Sequence, residues 1–144
     1  MSFSLDVNVL LYASDASSPV HGAARRFVEG AAAGGDLLCL GWPTVMSYLR
    51  MATHPRIFAS PLSPSDALGN VETLAGLPHV RLLAEEPGFL DVYRDVTSGF
   101  PVRGNLVPDA HLAALLKQHG VRTLFTRDTD FRKFDFLNLR DPFA

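Results

Sequence analysis

The stretch Phe3-Ser4-Leu5-Asp6-Val7-Asn8-Val9-Leu10-Leu11-Tyr12 decides the fold. Leu and Val are dense on both sides of Asp6, as in strands buried between the helix layers of a parallel sheet. An unpaired carboxylate is strongly disfavoured inside such a strand. Asp6 therefore belongs at the strand's C-terminal end, where open α/β sheets hold their ligands. Asn8 adds a neutral oxygen to the same rim. The plainer alternative is that Asp6 only caps a helix starting near Asn8, since Asp and Asn are favoured caps.

Outward from this strand, a short helix is expected over Asn8–Ala13, a loop over 15–19, and a helix over Val20–Ala33 with Ala23, Phe27 and Ala31 on one stripe. A second strand spans Leu37–Leu40. Trp42-Pro43-Thr44 opens a helix to about Thr53, and Ser63-Pro64 another to about Leu77. A third strand spans Val80–Leu83, followed by a helix from Glu85 to about Ser98. Two Gly and one Pro make 99–107 irregular. A helix runs over Pro108–His119, then come a strand over Val121–Phe125 and a possible fifth over Leu137–Leu139. Strands alternating with helices, without hairpin signals, predict an α/β fold with a mainly parallel sheet.

The 144 residues suit a single domain, 1–144. With 47% hydrophobic and 19% charged residues, the chain is globular rather than disordered. No apolar stretch approaches membrane-spanning length, and no signal peptide is evident. The single Cys39 lies in an apolar run and reads as a buried thiol. These features suit the cytoplasm. The net charge of −2 argues against broad adhesion to nucleic acid, but eleven of the thirteen cations are Arg, suited to local phosphate contacts.

Three carboxylates stand out. Asp6 ends the first strand, Asp109 sits in the first turn of a helix in Val107-Pro108-Asp109-Ala110-His111, and Asp128 follows the fourth strand in Thr126-Arg127-Asp128-Thr129-Asp130. Each has a local explanation: Asp109 suits a helix N-terminus, and Asp128 and Asp130 suit turns. Together at matching sheet positions they indicate a metal site. Carboxylates without Cys or His at ligand spacing favour Mg²⁺ or Mn²⁺ over zinc. His111, two residues past Asp109, points elsewhere on a helix.

Leu5-Asp6-Val7-Asn8-Val9-Leu10-Leu11-Tyr12, Gly104-Asn105-Leu106-Val107-Pro108-Asp109-Ala110-His111 and Thr126-Arg127-Asp128-Thr129-Asp130-Phe131, in this order and spacing, resemble a PIN domain. More narrowly, the chain resembles the VapC toxins of bacterial toxin–antitoxin pairs, with Trp42-Pro43 through Phe58 similar to one subgroup. The resemblance implies a three-layer α/β/α fold and a Mg²⁺- or Mn²⁺-dependent endoribonuclease that leaves 5′-phosphate and 3′-hydroxyl ends. It implies metal ligation by Asp6, Asp109 and Asp128, with Asp130 as an auxiliary carboxylate and Asn8 and Thr126 as supporting polar residues. It implies a VapB-type antitoxin as partner, and with several apolar helices in the chain a toxin homodimer capped by that antitoxin is expected. With a net charge of −2 and few cations for phosphate contacts, the expected substrate is structured RNA such as tRNA or rRNA, cleaved to inhibit translation. Arg50 and Arg127 are candidates for phosphate contact, or else are solvated surface charges.

One departure is visible. PIN domains usually carry a Glu in the helix after the second strand, where this chain has Ser47, and no carboxylate occurs from Leu37 to Pro64. One firmly held metal is then expected rather than two. A binding module that has lost catalysis with that Glu is the main alternative. A hydrolase forming an aspartyl-phosphate on Asp6 is a weaker one, since Asn8 stands where its second Asp would be.

Overall fold

A computed structural model describes residues 1–144. Five strands form one parallel sheet in the order β3-β2-β1-β4-β5: β1 Ser2–Leu5, β2 Leu37–Gly41, β3 Val80–Leu83, β4 Thr123–Phe125 and β5 Asn138–Arg140. The helices are α1 Val7–Ser14, α2 His21–Ala33, α3 Trp42–Ala52, α4 Pro64–Ala75, α5 Phe89–Val96 and α6 Leu106–Gln118. The expected three-layer α/β/α arrangement is present.

Strand alternation builds the two cores. Phe3, Leu5, Leu38, Leu40 and Val80 face one side and pack with Val9 and Leu10 of α1, Val45 and Tyr48 of α3 and Ala67 of α4. Cys39, Leu83 and Leu124 face the other side, against α6 and the aromatic residues Phe131 and Phe134. Ser4 lies fully buried, and its hydroxyl has no hydrogen-bond partner.

The α6 helix buries Ala110, Leu112, Ala113, Ala114, Leu115 and Leu116, so it is apolar nearly all round and belongs in the interior. It begins at Leu106, two residues earlier than expected. Pro108 is tolerated because the amides of a first turn have no intrahelical partner. Gly120, at φ 72°, closes its C-terminus, and the amide of Val121 bonds the carbonyl of Leu116. Val121 is thus part of the cap, and β4 starts at Thr123. Likewise α5 starts at Phe89 rather than Glu85, since Pro87 disfavours helix before it and Gly88 takes a φ of 86°.

Gly41 ends β2 directly against α6. A Cβ there would stand 2.8 Å from Leu115 Cδ2, so any larger residue would have to displace that buried side chain. The order of β2-β1-β4 makes the crevice between the C-terminal ends of β1 and β4 the point where the winding of the sheet reverses. Ligands of open α/β sheets bind at such a point.

Candidate active site

Asp6 and Thr126 meet at that crevice. The Asp6 amide donates to the Phe125 carbonyl at 3.0 Å, which carries the β1–β4 ladder past the last β1 residue. Asp6 occupies the N-cap position of α1, yet its carboxylate makes no capping hydrogen bond. It accepts instead from Thr126 Oγ1 at 2.9 Å, and the same hydroxyl accepts from the Asp128 amide at 2.9 Å. One threonine thus ties the two loops together.

Asp128 caps the 3₁₀ turn Thr129–Lys133 by accepting from the Asp130 amide at 2.9 Å. Its turn-forming role and its place in the carboxylate cluster therefore coexist. The first turn of α6 brings Asp109 to the same place. Ligand oxygens of Asp109, Asp128 and Asp130 all lie within 4.8 Å of one another. Asp130 is as much part of this triangle as the two residues singled out by position. Asp6 lies beside it, 6% exposed, and acts on it through charge.

The electrostatics follow from this crowding. Partial burial, then the charges of Asp128, Asp6 and Asp130, push Asp109 up to about 6. Burial also raises Asp6, with Asp128 adding to it, while the Thr126 hydroxyl and the first amides of α1 pull the other way.

Asn8 lies with Asp6, Tyr12, Arg127, Asp128 and Phe143 around a hollow of about 240 Å³. Phe143 gave no signal in the sequence, because a C-terminal aromatic reaches this rim only through the fold. Arg127 lies over the Phe143 ring, 5.4 Å from its centroid, with Asp141 Oδ2 at 3.8 Å. Arg50 is exposed at the far end of α3 and makes no ion pair. Ser47 is half-buried on α3 and makes no side-chain hydrogen bond; neither it nor the exposed Glu72 is among the groups acting on Asp109. His111 pairs with Glu85, and His21, His79 and His119 contact backbone carbonyls.

The PIN domain family model matches residues 4–137. Ribonuclease VapC48 of Mycobacterium tuberculosis is 46% identical over 144 residues, covering 100% of this chain and 99% of that one. This chain belongs to the PIN domain family, among the VapC ribonucleases. The VapC fold agrees. VapBC2 from Rickettsia felis, solved bound to a DNA fragment from its promoter, aligns with a TM-score of 0.69 at 12% identity, covering 98% of both chains. VapC20 of Mycobacterium tuberculosis, a Sarcin-Ricin loop cleaving toxin, aligns with a TM-score of 0.65 at 14% identity, covering 90% of this chain and 92% of that one. At such identities the structural matches speak for the VapC fold alone. No helix is long and apolar enough to cross a membrane.

Proposed function

We propose that this chain is a divalent-metal endoribonuclease, the toxin of a VapBC-type pair, cleaving structured RNA such as tRNA or rRNA. The observation that carries the reading is the convergence of Asp109, Asp128 and Asp130 within 4.8 Å, beside Asp6, at the switch point of the sheet. The donor set is all carboxylate oxygen; partial burial, and then mutual repulsion, raise Asp109 to about 6, so a hard cation suits it. Asp6, Asp109, Asp128 and Asp130 would hold Mg²⁺ or Mn²⁺. Such an ion supplies charge stabilisation on the phosphate and a water of lowered pKa. Thr126 keeps Asp6 oriented and the Asp128 loop in place, and the Asp130 amide fixes the Asp128 carboxylate. Arg127, which lines the hollow, would receive a phosphate, and Arg50 another farther along the strand.

The test is cleavage of bulk tRNA by the purified protein. EDTA should abolish it, and Mg²⁺ or Mn²⁺ should restore it. The Asp109→Asn variant should lose at least a hundredfold in rate. Ser47 in the place of the usual Glu favours a second reading, an RNA- or protein-binding module without catalysis. That reading predicts RNA binding with no cleavage in any metal, and no effect of Asp109→Asn on binding.

The partner in this reading is a VapB-type antitoxin, and the active assembly contains a toxin homodimer. A groove of about 550 Å³ among α1, α2, α3 and α4, lined by Leu10, Val28, Val45, Val71 and Leu74, suits the apolar face of the antitoxin's tail. The tail's basic side chains would neutralise the acidic cluster. Tight binding of an antitoxin-tail peptide that left cleavage unchanged would contradict this inhibition.

A further inference from the structure

The first turns of α3 carry an exposed face that the acidic cluster does not use. Trp42 is 44% exposed and Met46 57%. With Arg50 they follow one another at four-residue intervals, so they form one stripe along the helix. Met46 would ordinarily be read as a core position; here the core side of α3 is Thr44, Val45, Tyr48 and Ala52.

This stripe begins at the same sheet edge as the carboxylates. The β1–β2 register pairs Ser2 with Leu37 and Phe3 with Leu38. Carried forward, it sets Gly41 level with Asp6, on strands about 4.8 Å apart. Trp42 therefore starts α3 beside Asp6, on the side away from β4 and Arg127. The local charge is also distinct. From Leu37 to Pro64 there is no Asp or Glu, while Arg50 and Arg56 are both present in a chain whose net charge is −2. Both side chains are exposed and neither makes an ion pair. An exposed indole at the helix start, one strand over from Asp6, followed along α3 by the unpaired Arg50 about 12 Å on, offers a single strand an aromatic face and then a cation.

We propose that Trp42 is the stacking platform for an unpaired RNA base next to the scissile phosphate, with Arg50 binding a phosphate of the same strand. The proposal rests on the ribonuclease reading and adds to it a binding residue outside the carboxylate loops. Stacking on an aromatic face is tolerant of base identity, so Trp42 would select for an unpaired nucleotide rather than for a sequence.

Trp42 is the only tryptophan of the chain, so its emission reports on this position alone. Full-length Asp109→Asn protein in Mg²⁺, and native protein in EDTA, would be titrated with bulk tRNA and with an unlabelled RNA stem-loop, binding being followed in parallel by gel shift. The expected result is quenched emission and reduced access of acrylamide to the indole as RNA binds. In tRNA cleavage, Trp42→Ala should raise KM roughly 5- to 150-fold with little change in kcat, the range set by one lost base–aromatic stack. Trp42→Phe should retain most of the affinity. Emission and acrylamide access unchanged while RNA binds would overturn the proposal. So would native KM in Trp42→Ala together with loss of a dimer in sedimentation, which would assign the face to a second copy of the chain. RNA cut normally with Trp42 silent removes the platform alone, whereas RNA neither bound nor cut removes the ribonuclease reading as well.

Discussion

Asp109 is the residue on which charge accumulates. Its carboxyl titrates near 6 instead of the ordinary 3.8. A carboxyl with a folded pKa above its unfolded one costs stability wherever it is ionised. The cost is full above pH 6 and disappears as pH falls to 3.8. Asp109→Asn should therefore stabilise the metal-free protein at pH 8, by about 1 kcal/mol once water screening of a half-exposed group is allowed for. The gain should shrink steadily below pH 6 in urea titrations, and Mg²⁺ should erase or reverse it at pH 8. A gain independent of pH would mean that the buried, crowded charge on Asp109 is not its source. Thr126 makes the complementary prediction. Thr126→Val leaves a buried Asp6 oxygen and the Asp128 amide without their shared partner, at a cost of roughly 1–3 kcal/mol. That cost should be larger at pH 8, where Asp6 is ionised, than at acid pH. Thermal melts at the two pH values decide it.

At the scale of elements, the placement of Asp109 depends on α6 lying hard against the end of β2. Gly41 is the contact that permits this, with Leu115 Cδ2 only 2.8 Å from where a Cβ would be. Gly41→Ala should cost about 1–3 kcal/mol by overpacking and lower cleavage by shifting the first turn of α6. Because the clash is with one side chain, Leu115→Ala should relieve part of it. A double-mutant cycle should show the two changes to be non-additive by at least 0.5 kcal/mol or so. Strict additivity would place the contact elsewhere. The burial of α6 on nearly every face also explains why its sequence shows no amphipathic stripe and why its start was hard to place. A helix surrounded by protein needs no polar side, so periodicity carries no boundary signal.

For the whole molecule, the net charge of −2 and the acidic cluster leave few cations for phosphate binding. With Arg50, Arg127 and the metal as the main positive groups, the slope of log affinity against log salt should be shallow, about −1 to −3. Selectivity then has to come from RNA shape and exposed loop bases. Intact tRNA should be cut at one or a few sites, and the same tRNA fragmented or heat-unfolded should be cut poorly. A steep salt slope, or equal scattered cleavage of both forms, would contradict this.

The local sequence by itself determined the alternation of strands and helices, the parallel sheet, and the three acidic segments at strand or helix ends. Burial pattern and turn chemistry are local properties, and Leu5-Asp6-Val7 or Pro108-Asp109 display them directly. The lack of any carboxylate from Leu37 to Pro64 is equally local, though only the PIN resemblance gives it meaning at Ser47. What only the tertiary structure decided is who stands next to whom. The Thr126–Asp6 hydrogen bond joins residues 120 positions apart, and it exists because β4 pairs with β1. The same pairing sets Asp130 into the triangle and Asp6 behind it. Folding back of the C-terminal segment seats Phe143 against Arg127. The exposure of Trp42 and Met46 was equally invisible, since an apolar residue at the start of a helix reads as core until the neighbouring helices are in place. No periodicity encodes strand order; it is settled by how two apolar sheet faces can both be covered by helices at once.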